Sequence, residues 1–123
     1  MSTPAKVLKV RGRPDEAKGI AATDPRKLAG SIAMSIREGE TVNVTAIGNA
    51  AETIALQGLE LAQSYLVRDA IELGWARTTE IVQLGPEEEK RVLVRFLLTA
   101  GEVSFAAQPE GETEEDADGA GQD

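Results

Sequence analysis

Hydrophobic spacing switches between a period of two and a period of 3.6 three times within the first 66 residues, which restricts the chain to folds that pack helices against a sheet. Ala5-Lys6-Val7-Leu8-Lys9-Val10-Arg11 alternates, with Leu8 and Val10 on one face and Val7, Lys9 and Arg11 on the other, and predicts a first strand. Gly12 to Thr23 mixes Gly, Pro, charged and small residues without a period and reads as a loop of about a dozen residues, a length at which loops are often functional. Asp24-Pro25 then starts a helix, because Asp accepts from free backbone N–H groups and proline arrives with its φ already set. Leu28, Ala29, Ile32, Ala33 and Ile36 follow at helical spacing and Gly39 closes the segment, predicting a helix over about residues 25–38.

Thr41 to Ile47 is β-branched and alternating, a second strand that stops at Gly48. Asn49 with Glu52 three residues later resembles a capping box, with Asn in the capping role, and opens a second helix. Its apolar stripe is Ala51, Ile54, Ala55, Gly58, Leu61, Ala62 and Tyr65, with Gly58 suited to close approach of a neighbour. Beyond Tyr65, Leu66 to Ile71 is compatible with more helix while Ile71, Leu73 and Trp75 alternate like a strand. The helix is read as ending between Leu66 and Asp69. Thr78 to Leu84 is extended in style, Gly85-Pro86-Glu87-Glu88-Glu89 makes a turn, and Arg91 to Thr99 is strongly β-prone, so a hairpin closes the fold. In its last strand Val92, Val94, Phe96 and Leu98 face one way and Arg91, Leu93, Arg95 and Leu97 the other. Neither face is purely polar, which implies a partner or a homodimer. The expectation is an α/β chain with an α+β two-layer arrangement and element order β-α-β-α-β-β, with a domain over residues 1–108 and a compact core over about 5–100.

Chemistry is narrowed by what the chain lacks. It has no cysteine and no histidine, which removes thiolate nucleophiles, disulfides, imidazole bases and metal sites built on either ligand. Glu52, Glu60, Glu72 and Glu80 lie near predicted elements without an apolar cleft to tune one of them as an acid, and no calcium-loop spacing is present. Neither a dinucleotide-binding glycine triplet nor a phosphate-loop Gly-Lys-Ser/Thr occurs. The expectation is a protein that is not an enzyme and takes no metal or cofactor. No stretch approaches the roughly 20 apolar residues of a membrane span, and Met1 to Ala5 runs into the first strand without an apolar signal core, so no membrane partner is expected and the expected compartment is the cytoplasm.

Charge is unevenly distributed. Of the 21 acids behind the formal net charge of -8, seven lie in the segment from Pro109 onward, which has no Lys or Arg. Fourteen acids against thirteen bases remain in residues 1–108, whereas residues 1–37 carry eight bases against three acids. The N-terminal third is therefore a candidate basic patch. Residues 109–123 contain no large apolar side chain to offset the cost of ordering and are expected to be a disordered acidic tail. Lys9, Arg11 and Arg13 alternate to one strand face, which would align three cations about 7 Å apart for phosphate contact, although the same pattern also fits a solvated sheet edge. Gly48-Asn49 at the strand-to-helix junction is a candidate anion-binding turn, equally readable as a glycine placed for turning and packing.

Several segments carry a family resemblance: Val7-Leu8-Lys9-Val10, Leu28-Ala29-Gly30-Ser31-Ile32, Val44-Thr45-Ala46-Ile47-Gly48-Asn49-Ala50, the helix Gln57 to Tyr65, and the hairpin with Glu88-Glu89-Lys90-Arg91. From Val7 to about Leu98 the chain resembles the stage V sporulation protein S family, small bacterial proteins related to the Alba superfamily of nucleic-acid-binding proteins. The resemblance implies an Alba-like sandwich of four strands with two helices on one sheet face, a tendency to dimerise, and a nucleic-acid-binding or regulatory role. Alba-like proteins meet nucleic acid through basic residues near the first helix start and through the last hairpin. Arg11, Arg13, Lys18, Arg26 and Lys27 match the first region in chemistry. The hairpin departs from the pattern, because its tip is Glu87-Glu88-Glu89, which repels phosphate and is only partly offset by the flanking Arg77, Lys90 and Arg91. The resulting expectation is a homodimeric regulator that binds DNA or RNA weakly and largely without sequence specificity, using Lys9, Arg11, Arg13, Lys18, Arg26 and Lys27 as phosphate contacts. The alternative is a protein-interaction or assembly module on the same fold.

Overall fold

The computed structural model describes residues 4–104, and the acidic segment expected to be disordered lies outside them. In chain order the elements are β1 (Lys6–Val10), α1 (Pro25–Arg37), β2 (Val42–Ile47), α2 (Asn49–Leu66), a single 3₁₀ turn (Val67–Asp69), β3 (Ile71–Gln83) and β4 (Lys90–Glu102). This is the expected β-α-β-α-β-β order. The strands form one mixed sheet in the order β1-β2-β4-β3, with β1 and β2 parallel and β4 antiparallel to both of its neighbours.

Sequence chemistry accounts for the boundaries. Asp24 caps α1, its Oδ1 accepting from the Arg26 N–H at 2.9 Å, and Pro25 occupies the first helical position. Gly39, at φ 80°, lies just beyond the helix end, and its N–H donates to the Ile36 carbonyl at 3.0 Å. At α2 the capping prediction needs correction. Gly48 is the cap and makes no side-chain bond, while Asn49 is already helical and the Glu52 carboxylate turns outward to Arg77. A left-handed Ala70, φ 59°, separates the 3₁₀ turn from β3, so the ambiguous stretch after Tyr65 ends as helix and then becomes a strand of 13 residues.

Both helices cover one face of the sheet. Val10 of β1, Val42, Val44 and Ala46 of β2, and Val94, Phe96 and Leu98 of β4 are buried beneath Leu28, Ala29, Ile32, Ala33 and Ile36 of α1 and Ala51, Ala55, Leu59, Ala62 and Leu66 of α2. The helices also pack on each other closely: a Cβ added at Gly58 would sit 2.5 Å from Leu28 Cδ2, so only glycine permits that separation. The buried Ser35 hydroxyl accepts from Lys6 Nζ at 3.0 Å, which ties β1 to α1. The opposite face carries no helix. By register it presents Val7 and Lys9, Asn43, Thr45 and Ile47, Leu93, Arg95 and Leu97, with Ala76, Thr78 and Glu80 opposite β4. Leu97 is exposed there and Leu93 half-buried, as the two-sided pattern of the last strand anticipated.

Candidate nucleic-acid interface

Strand directions bring three distant segments together. Val10 pairs with Ala46 and Ala46 with Val94, so the ends of β1 and β2 lie beside the beginning of β4. At this end of the sheet Gly12, Arg13, Ile47, Gly48, Asn49, Ala50, Ala51 and Arg91 line a cleft of about 560 Å³. Gly12 makes it possible, since a Cβ there would lie 2.5 Å from the Ala51 backbone nitrogen: the loop backbone rests directly on the first turn of α2. Gly48 holds φ 93° and ψ 161°, a conformation essentially restricted to glycine, and this turns the chain sharply from β2 into α2.

The first intrahelical bond of α2 runs from the Glu52 N–H to the Gly48 carbonyl at 3.0 Å, so the N–H groups of Asn49, Ala50 and Ala51 precede the helical ladder. Such donors, reinforced by the helix dipole, favour an anion. Arg91 lines the same cleft, its Nη2 3.9 Å from where a Gly48 Cβ would be. A second cleft of about 340 Å³ continues past Gly48 and Asn49 to Glu52, Arg77, Glu89 and Lys90.

Ion pairing separates the cations that are engaged from those that are not. Of thirteen Lys and Arg residues, four contact a carboxylate of the described residues within 4.0 Å: Lys6 with Glu40, Arg37 with Asp69, Arg77 with Glu52 and Arg95 with Glu80. Arg77 binds Glu52 through two hydrogen bonds of 2.7 and 3.3 Å. These bonds hold the Glu52 carboxyl below its ordinary range and raise the Arg77 guanidinium above its own. Arg77 is therefore occupied, whereas Arg13 and Arg91 have no carboxylate partner among the described residues.

All six sequence-nominated cations are unpaired in this sense, but they do not form one patch. Lys9 projects from the helix-free face, beside a hollow bordered by Thr45, Ile47, Leu84 and Leu93. Arg11 closes the base of the loop through its backbone, its N–H donating to Thr23 Oγ1 at 2.7 Å and its carbonyl accepting from the Thr23 N–H at 2.8 Å. Lys18 sits in the turn between the bridged Asp15 and Ile20. Arg26 and Lys27 are on the first turn of α1, where Arg26 borders a separate groove with Gln57, Glu60, Leu61 and Ser64, toward the middle of α2. Arg13 alone of the six lines the main cleft, together with the predicted Gly48 and Asn49. The expected ladder of Lys9, Arg11 and Arg13 does not form, because β1 ends at Val10 and the chain bends at Gly12 and Arg13. Arg91 was legible only as a base flanking the acidic turn, since its position depends on pairing with β3 and β2 far along the chain.

Among the described residues no cluster of three acids could hold a metal ion, and no buried side-chain nitrogen or oxygen lacks a hydrogen-bond partner. No helix in them is long and apolar enough to cross a membrane. What the geometry defines is a small α+β protein with two helices on one face of a four-stranded mixed sheet and a cationic cleft at one end. The chain belongs to the stage V sporulation protein S family, whose model matches residues 18–100, and is accordingly a small sporulation-related protein. Gly48, Asn49 and Arg91 lie inside the matched span; β1 and Arg13 precede it. No individual curated protein matches the sequence.

Proposed function

We propose that this chain is a non-enzymatic nucleic-acid-binding regulator that holds DNA or RNA by the phosphate backbone, weakly and with little sequence preference, in the cleft at the start of α2. The observation that carries this reading is that Arg13 and Arg91, which have no carboxylate partner among the described residues, line one cleft together with Gly48, Asn49 and Ala50 at the start of α2. Fixed donors plus delocalised guanidinium forks suit a phosphate oxygen better than a neutral ligand. Lys90 adds a further cation in the adjoining cleft.

Sequence readout has little to work with. Stacking platforms are what single-strand readers use, yet Phe96 is fully buried and Trp75 lies on β3, outside the cleft lining. Glu87, Glu88 and Glu89 in the β3–β4 turn oppose phosphate and confine the contact to the side of the cleft formed by Arg13 and Gly48. The test is binding of labelled duplex DNA and single-stranded RNA by the full chain across a salt series, beside Arg13→Gln and Arg91→Gln variants and their combination. Duplex affinity falls with log salt, and the double variant flattens that slope by about 1.8, at ~0.9 for each phosphate that is no longer neutralised. Absence of binding at low salt would overturn the reading in favour of a protein-interaction module; binding that the double variant leaves unchanged would overturn the site.

A further inference from the structure

β4 begins at the cleft and leads away from it toward the most acidic part of the chain. Arg91, at the start of the strand, lines the cleft with Arg13, and no acid shares that lining. The strand runs to Glu102, and the Val103 N–H donates to the Ala70 carbonyl at 2.9 Å, which keeps the chain on the same course one residue further. At about 3.2–3.4 Å per strand residue, Val103 lies about 38–41 Å from Arg91. Residues 109–123 are outside the described residues, but contour length alone limits which of their acids can return to the cleft. A chain covers at most about 3.6 Å per residue, so from Val103 the acids Glu110 and Glu112 reach only about 25 and 32 Å. Glu114 is at the limit, about 40 Å, whereas Glu115, Asp116 and Asp118 reach about 43, 47 and 54 Å. The part long enough to come back is thus the part with four acids in five positions, residues 114–118.

We propose that residues 114–118 fold back and occupy the cleft at the start of α2, so that a phosphate backbone has to displace the chain's own carboxylates. The inference rests on the cleft being the phosphate site and adds how that site is regulated. Arg13 and Arg91 have no carboxylate partner among the described residues, and a guanidinium fork takes a carboxylate as readily as a phosphate. The positive end of the α2 dipole favours either anion. The acids beside the adjoining cleft do not serve the purpose: Glu52 is held by Arg77 through bonds of 2.7 and 3.3 Å, and Glu89 lines only the neighbouring hollows. A short tether presents its end at an effective concentration on the order of 1 mM. A segment that binds at about 0.1 mM therefore leaves about a tenth of the clefts open and weakens duplex binding about tenfold.

The absence of cysteine allows a direct test in the full chain, since Ala117→Cys carries a single spin label among the acids. The label selectively broadens the amide signals of Asn49, Ala50, Ala51 and Arg91 and spares those of Gly39 and Val42. The signals recover in about 1 M salt, where the Debye length is about 3 Å. Duplex DNA binding at about 0.1 M salt supplies the second arm, with two variants that remove equal charge. Glu115→Gln with Asp116→Asn tightens binding at least about threefold, part of the tenfold occlusion. Glu110→Gln with Glu112→Gln, whose carboxylates fall short of the cleft, changes it less than about twofold, because charges beyond about 10 Å are screened. Equal effects of the two pairs would overturn the proposal in favour of a general charge effect. Unbroadened signals at Asn49 to Ala51 would overturn the contact, and broadening without a change in duplex affinity would overturn the competition. If no version binds duplex even at low salt, the nucleic-acid reading of the cleft fails, and the spin label still decides whether the segment occupies it.

Discussion

Gly58 and Leu28 offer a perturbation whose sign should reverse with background. A methyl group added at Gly58 would lie 2.5 Å from Leu28 Cδ2, 2.9 Å from Cγ and 3.3 Å from Cβ, and Leu28 is only 6% exposed, so the leucine has little room to retreat. Gly58→Ala gains about 0.8–1.0 kcal/mol in helix propensity, but overpacking of this kind costs about 1–3 kcal/mol, for a net loss of up to about 2 kcal/mol. Leu28→Ala by itself costs about 2–5 kcal/mol because it leaves a cavity between α1 and α2. In that background the obstructing Cγ and Cδ atoms are gone. The same Gly58→Ala change then keeps its propensity gain, fills part of the cavity, and stabilises by about 1 kcal/mol or more. Urea unfolding of the full chain and the three variants, followed by helical circular dichroism and compared at constant m, gives the cycle. A Gly58→Ala effect of the same sign and size in both backgrounds would refute the claim that this glycine is there for Leu28.

Two further outcomes follow from the cleft and its neighbours. Gly12→Ala forces the loop off the first turn of α2, where its Cβ would be 2.5 Å from the Ala51 nitrogen, so it lowers stability by about 1–3 kcal/mol and weakens duplex binding in the same protein; unchanged affinity would show that the loop is not part of the cleft. Glu52 has a folded-state pKa below its unfolded value, so its stabilising contribution is present above the ordinary carboxylate range and is lost as pH falls through the lowered value. The difference in melting temperature between the wild-type chain and Glu52→Gln, measurable at pH 6, should therefore vanish on acidification below that range, and a difference that grows in acid would contradict the Arg77 pairing as its cause.

Much of this fold was legible in the sequence because its signals are local. Asp24-Pro25, the 3.6 spacing of Leu28 to Ile36, the β-branched run into Gly48 and the turn at Gly85-Pro86 each act within a few residues and needed no tertiary information. The α2 cap was misread by one position because Asn49 carries the residue type of a cap while Gly48 carries the backbone geometry, and the tight exit from β2 decided between them. The site was harder to see. Arg13 and Gly48 were nominated separately, for different reasons, and their juxtaposition depends on Gly12 resting against Ala51, an approach across nearly forty residues. Arg91 joins them only through strand order. Residue type flagged every cation that lines the cleft or flanks it, but topology selected which of them share it.

The strand order 1-2-4-3 also has a consequence for how the chain is made. Of the four strands among the described residues, β4 is synthesised last yet is an interior one, flanked by β2 and β3, and these have no pairing with each other. Until β4 has left the ribosome, a nascent chain holds β1 paired with β2 and, apart from them, a lone β3, with the inner edge of β2 open. At about 5–20 residues per second this interval lasts seconds, long compared with the microseconds in which a hairpin closes. The sheet is therefore completed in one late step, when β4 inserts its Val94, Phe96 and Leu98 beneath helices already formed, and a message truncated within the last strand would produce two exposed edges rather than a smaller version of the same protein.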